Sequence, residues 1–264
     1  MMSESEIRLS VFLGVLLLMA VLELIIPRRK LSISKLIRWA SNLGIVILNT
    51  ALLRVILPLT AVKMAIISQD YNWGLFNVVS IPVWASILLS VIILDCLIYW
   101  QHVSFHKIPL FWQLHKVHHA DLDFDVTTGL RFHPLEIILS MGIKILAVIL
   151  LGCPPLAVVI FEVILNASSM FNHSNIYIHP PLDKFLRLWI VTPDMHRVHH
   201  SNIPSETNSN YGFNLSWWDF LFKTYRPQPE LGHETMNIGL STFASHKVAY
   251  LHWMLALPWI KQIK

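Results

Sequence analysis

Apolar runs about as long as a lipid bilayer is thick recur along this chain. A helix needs roughly 20 apolar residues to cross ~30 Å of hydrocarbon. In that solvent only helices and closed barrels satisfy their own backbone groups. Runs of this kind occupy residues 10–26, 42–59 and 79–100. A fourth apolar region, residues 135–171, is too long for one span and is broken by Gly152-Cys153-Pro154-Pro155. Paired prolines remove backbone donors and stop a helix, so this region predicts two short helices folded back on each other. Charged residues make up only 14% of the chain, against about 25% in a soluble domain. The expectation is an all-α integral membrane protein of about four membrane helices or helical hairpins.

Before the first run stand Glu4 and Glu6 against one Arg8. A secretory signal wants a positive start and a small-residue cleavage site, so this run reads as a retained membrane helix. The loop after it carries Arg28, Arg29, Lys30, Lys35 and Arg38, whereas the loop before the third run carries little beyond Lys63 and Asp70. The positive-inside rule puts the first loop in the cytoplasm. The third run then delivers His102 to that side and the broken hairpin returns the chain there. Residues 101–134 and 173–246 would then share the cytoplasmic side, which gathers most of the histidines on one face. Residues 248–260, with Trp253 and Trp259, read as an interfacial helix. The expected division is residues 1–78 as N-terminal membrane helices, 79–246 as the unit that carries most of the histidines and 247–264 as a C-terminal interfacial segment. The net charge of +4 comes without a basic, aromatic-interleaved stripe, which argues against a nucleic-acid partner. Cys96 and Cys153 lie inside apolar runs and form no CxxC, which argues against a thiolate metal site.

Chemistry concentrates in the histidines. His102 and His106 form an HxxxH, and His115-x-x-His118-His119 and His196-x-x-His199-His200 form two HxxHH words. Residues at i, i+3 and i+4 share a helical face, so each word is expected to offer two or three imidazoles to one point. Eight such nitrogens exceed one tetrahedral ion and suit two ions of higher coordination; imidazole binds iron, zinc, copper or nickel. His173 and His133 flank the hairpin and are further candidates, His179 is a weaker one, and His233, His246 and His252 read as surface or helix-capping histidines. Asp95, Tyr99, His102 and His106 follow i, i+4, i+7, i+11 and form one stripe. A charge inside a span costs at least ~2.5–3.5 kcal/mol. Asp95 is therefore a candidate to take the second N–H of a metal-bound imidazole, with Tyr99 beside it; a helix-packing hydrogen bond explains it equally well. Asp194 could serve similarly or cap the helix of the last word.

No HExxH is present, so a zinc protease is excluded. The sole Glu-x-x-His, Glu230 to His233, lies in a Pro/Gly-rich loop and does not build a carboxylate-bridged bundle. Open at this point are a redox enzyme, a structural or hydrolytic zinc site with Glu136 or Asp121 as base, and a metal transporter. A transporter would carry its ligands at the bilayer midplane, and here most histidines lie beyond the spans.

The words Asp95-x-x-x-Tyr99-Trp100-x-His102-x-x-x-His106, His115-x-x-His118-His119, Arg131-Phe132-His133-Pro134-Leu135-Glu136 and Thr192-Pro193-Asp194-Met195-His196-x-x-His199-His200, followed by Asn210-Tyr211-Gly212-x-Asn214-Leu215-x-x-Trp218-Asp219, resemble the fatty acid hydroxylase / sterol desaturase superfamily. The resemblance covers roughly residues 80–226. It implies a four-helix membrane base under a cytosolic histidine cap and a non-haem site of two iron ions that activates O2, the co-substrate, at a lipid C–H bond. By match to the family's words, the ligands would be His102, His106, His115, His118, His119, His196, His199 and His200, with His173 where members often place another. Some members carry a further HxxxH before the last word; here His173 has no partner at that spacing. Substrates implied are sterols, fatty acyl chains or related membrane lipids, hydroxylated or desaturated in a bacterial inner membrane or the endoplasmic reticulum. Trp100, Phe105, Phe111, Trp112 and Phe132 could wall off water or form an interfacial belt. No dinucleotide fingerprint is present, which implies an external electron donor, a cytochrome b5-like or ferredoxin-like reductase system. Lys184, Arg187, Arg197, Lys223 and Arg226 are candidate docking charges for it.

Overall fold

The computed structural model describes residues 3–262. Among them there are helices and three isolated bridges but no β-strand. Ser3 and Glu6 close a capping box at the start of α1, Glu4–Ile25, satisfying donors that a helix leaves open. Then follow α2 (Lys35–Ile56), α3 (Ala61–Asp70), the single turn α4 (Leu75–Val78) and α5 (Val83–Lys107). Pro109 cannot donate the bond that would prolong α5. The chain turns at Ile108, and α6, Pro109–His119, packs back along α5. The last membrane-length helices are α7 (Pro134–Leu151) and α8 (Pro155–Asn172), followed by the short α9 (Pro180–Leu186) and α10 (Pro193–His199).

Among the described residues, five helical stretches are long and apolar enough to cross a membrane, because the expected hairpin supplies two of them. Its turn is made by Gly152 at φ 63°, where a Cβ would come within 2.7 Å of the Trp73 carbonyl oxygen. The two arms do not close on each other along their length. Near the turn α3 packs against both, through Ala61, Val62 and Ala65 on Val148, Val158 and Phe161. The second run begins as a helix at Lys35 rather than near residue 42, and the third continues past Trp100 to Lys107. Residues 248–260 form short broken turns rather than one helix; Val248, Met254 and Leu257 are buried against Ile45 and Val117.

One end of the bundle gathers the C-terminal ends of α1, α5 and α8 and the N-terminal ends of α2 and α7. Pro27 bridges Ile176, and Arg28 N–H donates to the Asn175 carbonyl. Arg38, fully buried on α2, donates to both oxygens of Asp121 (2.9 and 2.8 Å) and to Asp125 (2.5 Å). Glu23 accepts from the backbone N–H groups of Val126 and Asn175. These bonds have a consequence for the basic loop. Arg28 pairs with Asp194 and Glu234, Arg29 donates to the Met236 carbonyl, Lys35 reaches Glu23 and Arg38 is buried. Four of the five cations that suggested a cytoplasmic loop are thus bound within the fold.

Candidate metal centre

Helix α5 carries His102 and His106 one turn apart at its buried end, and the turn at Ile108 lays α6 beside them with His115, His118 and His119. Helix α8 ends at His173, and α10, capped by the Thr192 hydroxyl accepting from Met195 N–H, supplies His196, His199 and, just past its end, His200. Nine imidazoles converge in two groups. His102, His106, His115, His119 and His199 form one; His118, His173, His196 and His200 form the other; within each, the ligand atoms lie within 4.8 Å of one another. Each HxxHH word is therefore split between two points rather than aimed at one. Consecutive residues point about 100° apart around a helix, so His118 and His119 face different groups, as do His199 and His200.

The outward nitrogen of four rings is committed. His102 Nδ1 lies 2.8 Å from the Tyr211 carbonyl, His115 Nδ1 2.7 Å from Glu136, His173 Nδ1 2.7 Å from the Ser169 carbonyl and His199 Nδ1 2.7 Å from the Ser209 carbonyl. An Nδ1–H donated to a carbonyl fixes the tautomer and turns the Nε2 lone pair inward. The Nε2 atoms of His102, His106, His115 and His199 are buried with no partner. The Nε2 atoms of His118 and His196 stand 3.1 and 3.0 Å from that of His173, the separation expected of neighbouring ligands on an ion with metal–nitrogen bonds of about 2.1 Å. Burial, with neighbouring imidazoles adding to it, holds His118, His119, His196 and His200 well below the ordinary histidine range and pushes His173 and His199 down to about 3. The rings stay neutral, the form that binds metal. Orphaned nitrogens, neutral rings and convergent geometry fit a pair of metal ions.

Aromatic rings back the imidazoles. Phe132 stacks on His118 (centroids 4.5 Å apart) and Phe105 on His115, while Trp112 packs beside His106 and His119. Trp100 is half exposed and packs on Tyr99 and Phe222 instead.

Five histidines lie outside both groups: His133, His179, His233, His246 and His252. His133 caps α7 by accepting from Leu135 N–H and packs against Trp259. Asp95 reaches no imidazole. Its carboxylate accepts from Leu215 N–H (3.1 Å) and Trp218 Nε1–H (2.8 Å), and Tyr99 shares a hydrogen bond with Thr224. Both hold the 211–224 segment, whose Tyr211 carbonyl orients His102. Asp194 does not cap α10; it pairs with Arg28 and Arg197. Arg197 and Arg187 are buried in ion pairs, which removes them as docking charges, while Lys184 and Lys223 are exposed. Sequence reasoning missed Phe124, stacked on His173, and the role of Asp219, which accepts from Tyr211 and Gly212 N–H at 2.8 Å. Asp219 stands inside the C-terminal word, and its spacing from Gly212 was the available signal.

The fatty acid hydroxylase family profile matches residues 87–224, just over half of the chain and all nine grouped histidines. The chain belongs to the fatty acid hydroxylase family. Alkylglycerol monooxygenase of Xenopus tropicalis is 29% identical over 197 residues, covering 71% of this chain and 42% of the relative. Ornithine lipid hydroxylase OlsE of Rhizobium tropici is 29% identical over 56% of this chain and 44% of its own length. Delta(7)-sterol-C5(6)-desaturase of Nicotiana tabacum is 28% identical over 61% of this chain and 55% of the relative. The chain thus spans about half or less of these family members. No solved structure matches it.

Proposed function

We propose that this chain is an O2-dependent hydroxylase or desaturase of a membrane lipid, with two iron ions held by the nine grouped histidines. The observation that carries the reading is the sorting of nine buried imidazoles into groups of five and four at one end of a membrane bundle, in a family whose members include lipid monooxygenases, hydroxylases and desaturases. Bound iron supplies the redox chemistry toward O2 and an unactivated C–H bond that side chains lack.

The chain's own groups do the rest. Tyr211, Glu136, Ser169 and Ser209 fix ring orientation, and Phe105, Phe124 and Phe132 keep water from the rings. The carboxylates that a hydrolase would need as base are engaged, Glu136 by His115 and Asp121 by Arg38. The histidine end faces the cytoplasm in this reading, where a separate electron-transfer protein docks, and residues 79–246 form the catalytic unit.

The test is metal analysis of detergent-purified protein expressed with iron, beside the variant His118→Ala/His199→Ala, which removes one ligand from each group. Iron retained by the native chain and lost from the variant, with a lipid product formed only under O2, supports the proposal. Zinc that iron reconstitution cannot replace, or an O2-independent product, overturns it.

A further inference from the structure

Lys144 and Glu162 face each other inside the membrane bundle, and no part of the metal centre uses them. Both are largely buried; Glu162 accepts a hydrogen bond from Lys144 through one oxygen and faces Arg8 of α1 in an ion pair through the other. Ionisable groups within spans are costly and mark functional sites by default; apolar residues of the same shape would avoid the cost. These three residues line a cavity of about 460 Å³ that also reaches His102, His115 and His118. Such a volume is ordinary for a lipophilic ligand.

The cavity has two chemically different ends. Down α7 the lining residues Glu136, Ser140 and Lys144 fall at i, i+4 and i+8, and Glu136 holds His115. Along α8 they are Ser169, Asn166 and Glu162, and the Ser169 carbonyl holds His173. At 1.5 Å per residue, the Lys144–Glu162 pair lies about 10–12 Å from the histidine end. Between the ends the wall is mainly apolar, with Ile98, Ile137, Met141 and Leu165.

Donors exceed acceptors at the charged end. An ammonium offers three N–H bonds and a guanidinium five. Lys144 spends one on Glu162; Arg8 forms ion pairs with Glu162 and, toward the outside, with the exposed Glu4, while neither its Nε nor its Nη2 makes a hydrogen bond. Each oxygen of Glu162 faces one of the two cations. Of the groups lining this end, two are cations and one is an anion.

We propose that this cavity binds a single-chain lipid anion, its acidic head on Lys144 and Arg8 and its chain running to the histidines. The carbon presented to the metal centre is then an in-chain position 10–12 Å from the head rather than its neighbour. That the bound lipid is a substrate rests on the oxygenase reading; that it binds does not. The head is a carboxylate or a phosphate monoester, since both fill the same donors.

The experiment is a fluorescence titration of the full chain, metal-loaded and metal-free, in non-ionic detergent, with cis-parinaric acid and with its methyl ester. The native chain is expected to prefer the acid by about tenfold or more, with or without metal. The triple variant Arg8→Gln/Lys144→Met/Glu162→Gln leaves no member of the trio charged and loses the preference, while keeping the native metal content that reports a folded histidine end. Lys144→Arg keeps the preference. Hexadecyl phosphate that displaces the probe assigns any single-chain anion; displacement by palmitate alone assigns the carboxylate. Equal binding of acid and ester to the native chain, or a preference that survives in the triple variant, overturns the proposal. Acid-selective binding by a protein that yields no oxidised lipid would defeat the oxygenase reading and leave this one standing.

Discussion

His118 and His173 bring their Nε2 atoms to 3.1 Å from each other across 55 residues of sequence. The contact joins α6 to the end of α8, and it closes the smaller histidine group. His106 belongs to the other group, and no residue serves both. Single substitutions should therefore act on one metal at a time. His173→Ala and His106→Ala are each expected to halve the iron content rather than abolish it, and the double variant to remove it; elemental analysis of the three proteins decides.

Glu136 touches the centre only through His115. Partners that orient a metal-bound imidazole are typically worth about 10–100-fold in metal affinity or activity. Glu136→Ala should weaken iron binding by that order, measured by competition with a chelator. Glu136→Gln keeps an oxygen that can accept the His115 Nδ1–H and should recover most of the loss. Equal losses in both variants would mean that charge, not orientation, is what Glu136 provides.

Arg38 predicts a larger structural effect. It is buried and shared between Asp121 and Asp125, and removing one member of such a pair leaves a buried charge uncompensated, at about 3–5 kcal/mol. Arg38→Met should lower the thermal midpoint of the detergent-solubilised protein markedly, and the triple change to Met with Asp121→Asn and Asp125→Asn should recover part of it. A melt unchanged in the single variant would show that the cluster is solvated.

The helical membrane base and the histidine words were legible because each has a local period. Apolar runs set the spans, Gly152 with Pro154 and Pro155 set the turn between α7 and α8, and the stripe of Asp95, Tyr99 and His102 does lie on one buried face of α5. What local pattern could not show was how one HxxHH word divides between two points. That depends on α6 folding back along α5 and on α10 arriving from elsewhere. Nor could it show that Arg38, counted as a loop charge, lies inside the fold, because its partners Asp121 and Asp125 are more than 80 residues away. His133 stood in a family word yet serves as a helix cap, a role that residue type and spacing leave undecided.

Acid should destabilise the metal-free protein. His173 and His199 have folded pKa values of about 3, set mainly by burial, against about 6.5 when exposed. Between those values the unfolded chain binds the proton and the native chain does not, so stability rises with pH. It is fully present above about pH 6.5 and is lost progressively as pH falls toward 3. Melts of metal-free protein from pH 7.5 to 5 should show a falling midpoint, with a shallower slope in His173→Ala. A flat profile would mean that these rings are hydrated rather than enclosed.

Gly129 sets how closely the 128–130 turn approaches α8. A Cβ there would come within 2.4 Å of the Ser169 carbonyl oxygen, a backbone atom that cannot rotate away. That same oxygen accepts from His173 Nδ1–H, and the Ser169 hydroxyl donates to the Gly129 carbonyl at 2.7 Å. Gly129→Ala must therefore push the end of α8 outward and turn His173 away from His118 and His196. Overpacking of this kind costs about 1–3 kcal/mol, but the more specific expectation is selective metal loss. Iron should leave the His118, His173, His196, His200 group while the five-histidine group keeps its share. Metal content, measured beside a Gly142→Ala control where a Cβ meets nothing within 4 Å, separates the two effects. Full metal content in Gly129→Ala would show that the Ser169 carbonyl does not hold His173 in place.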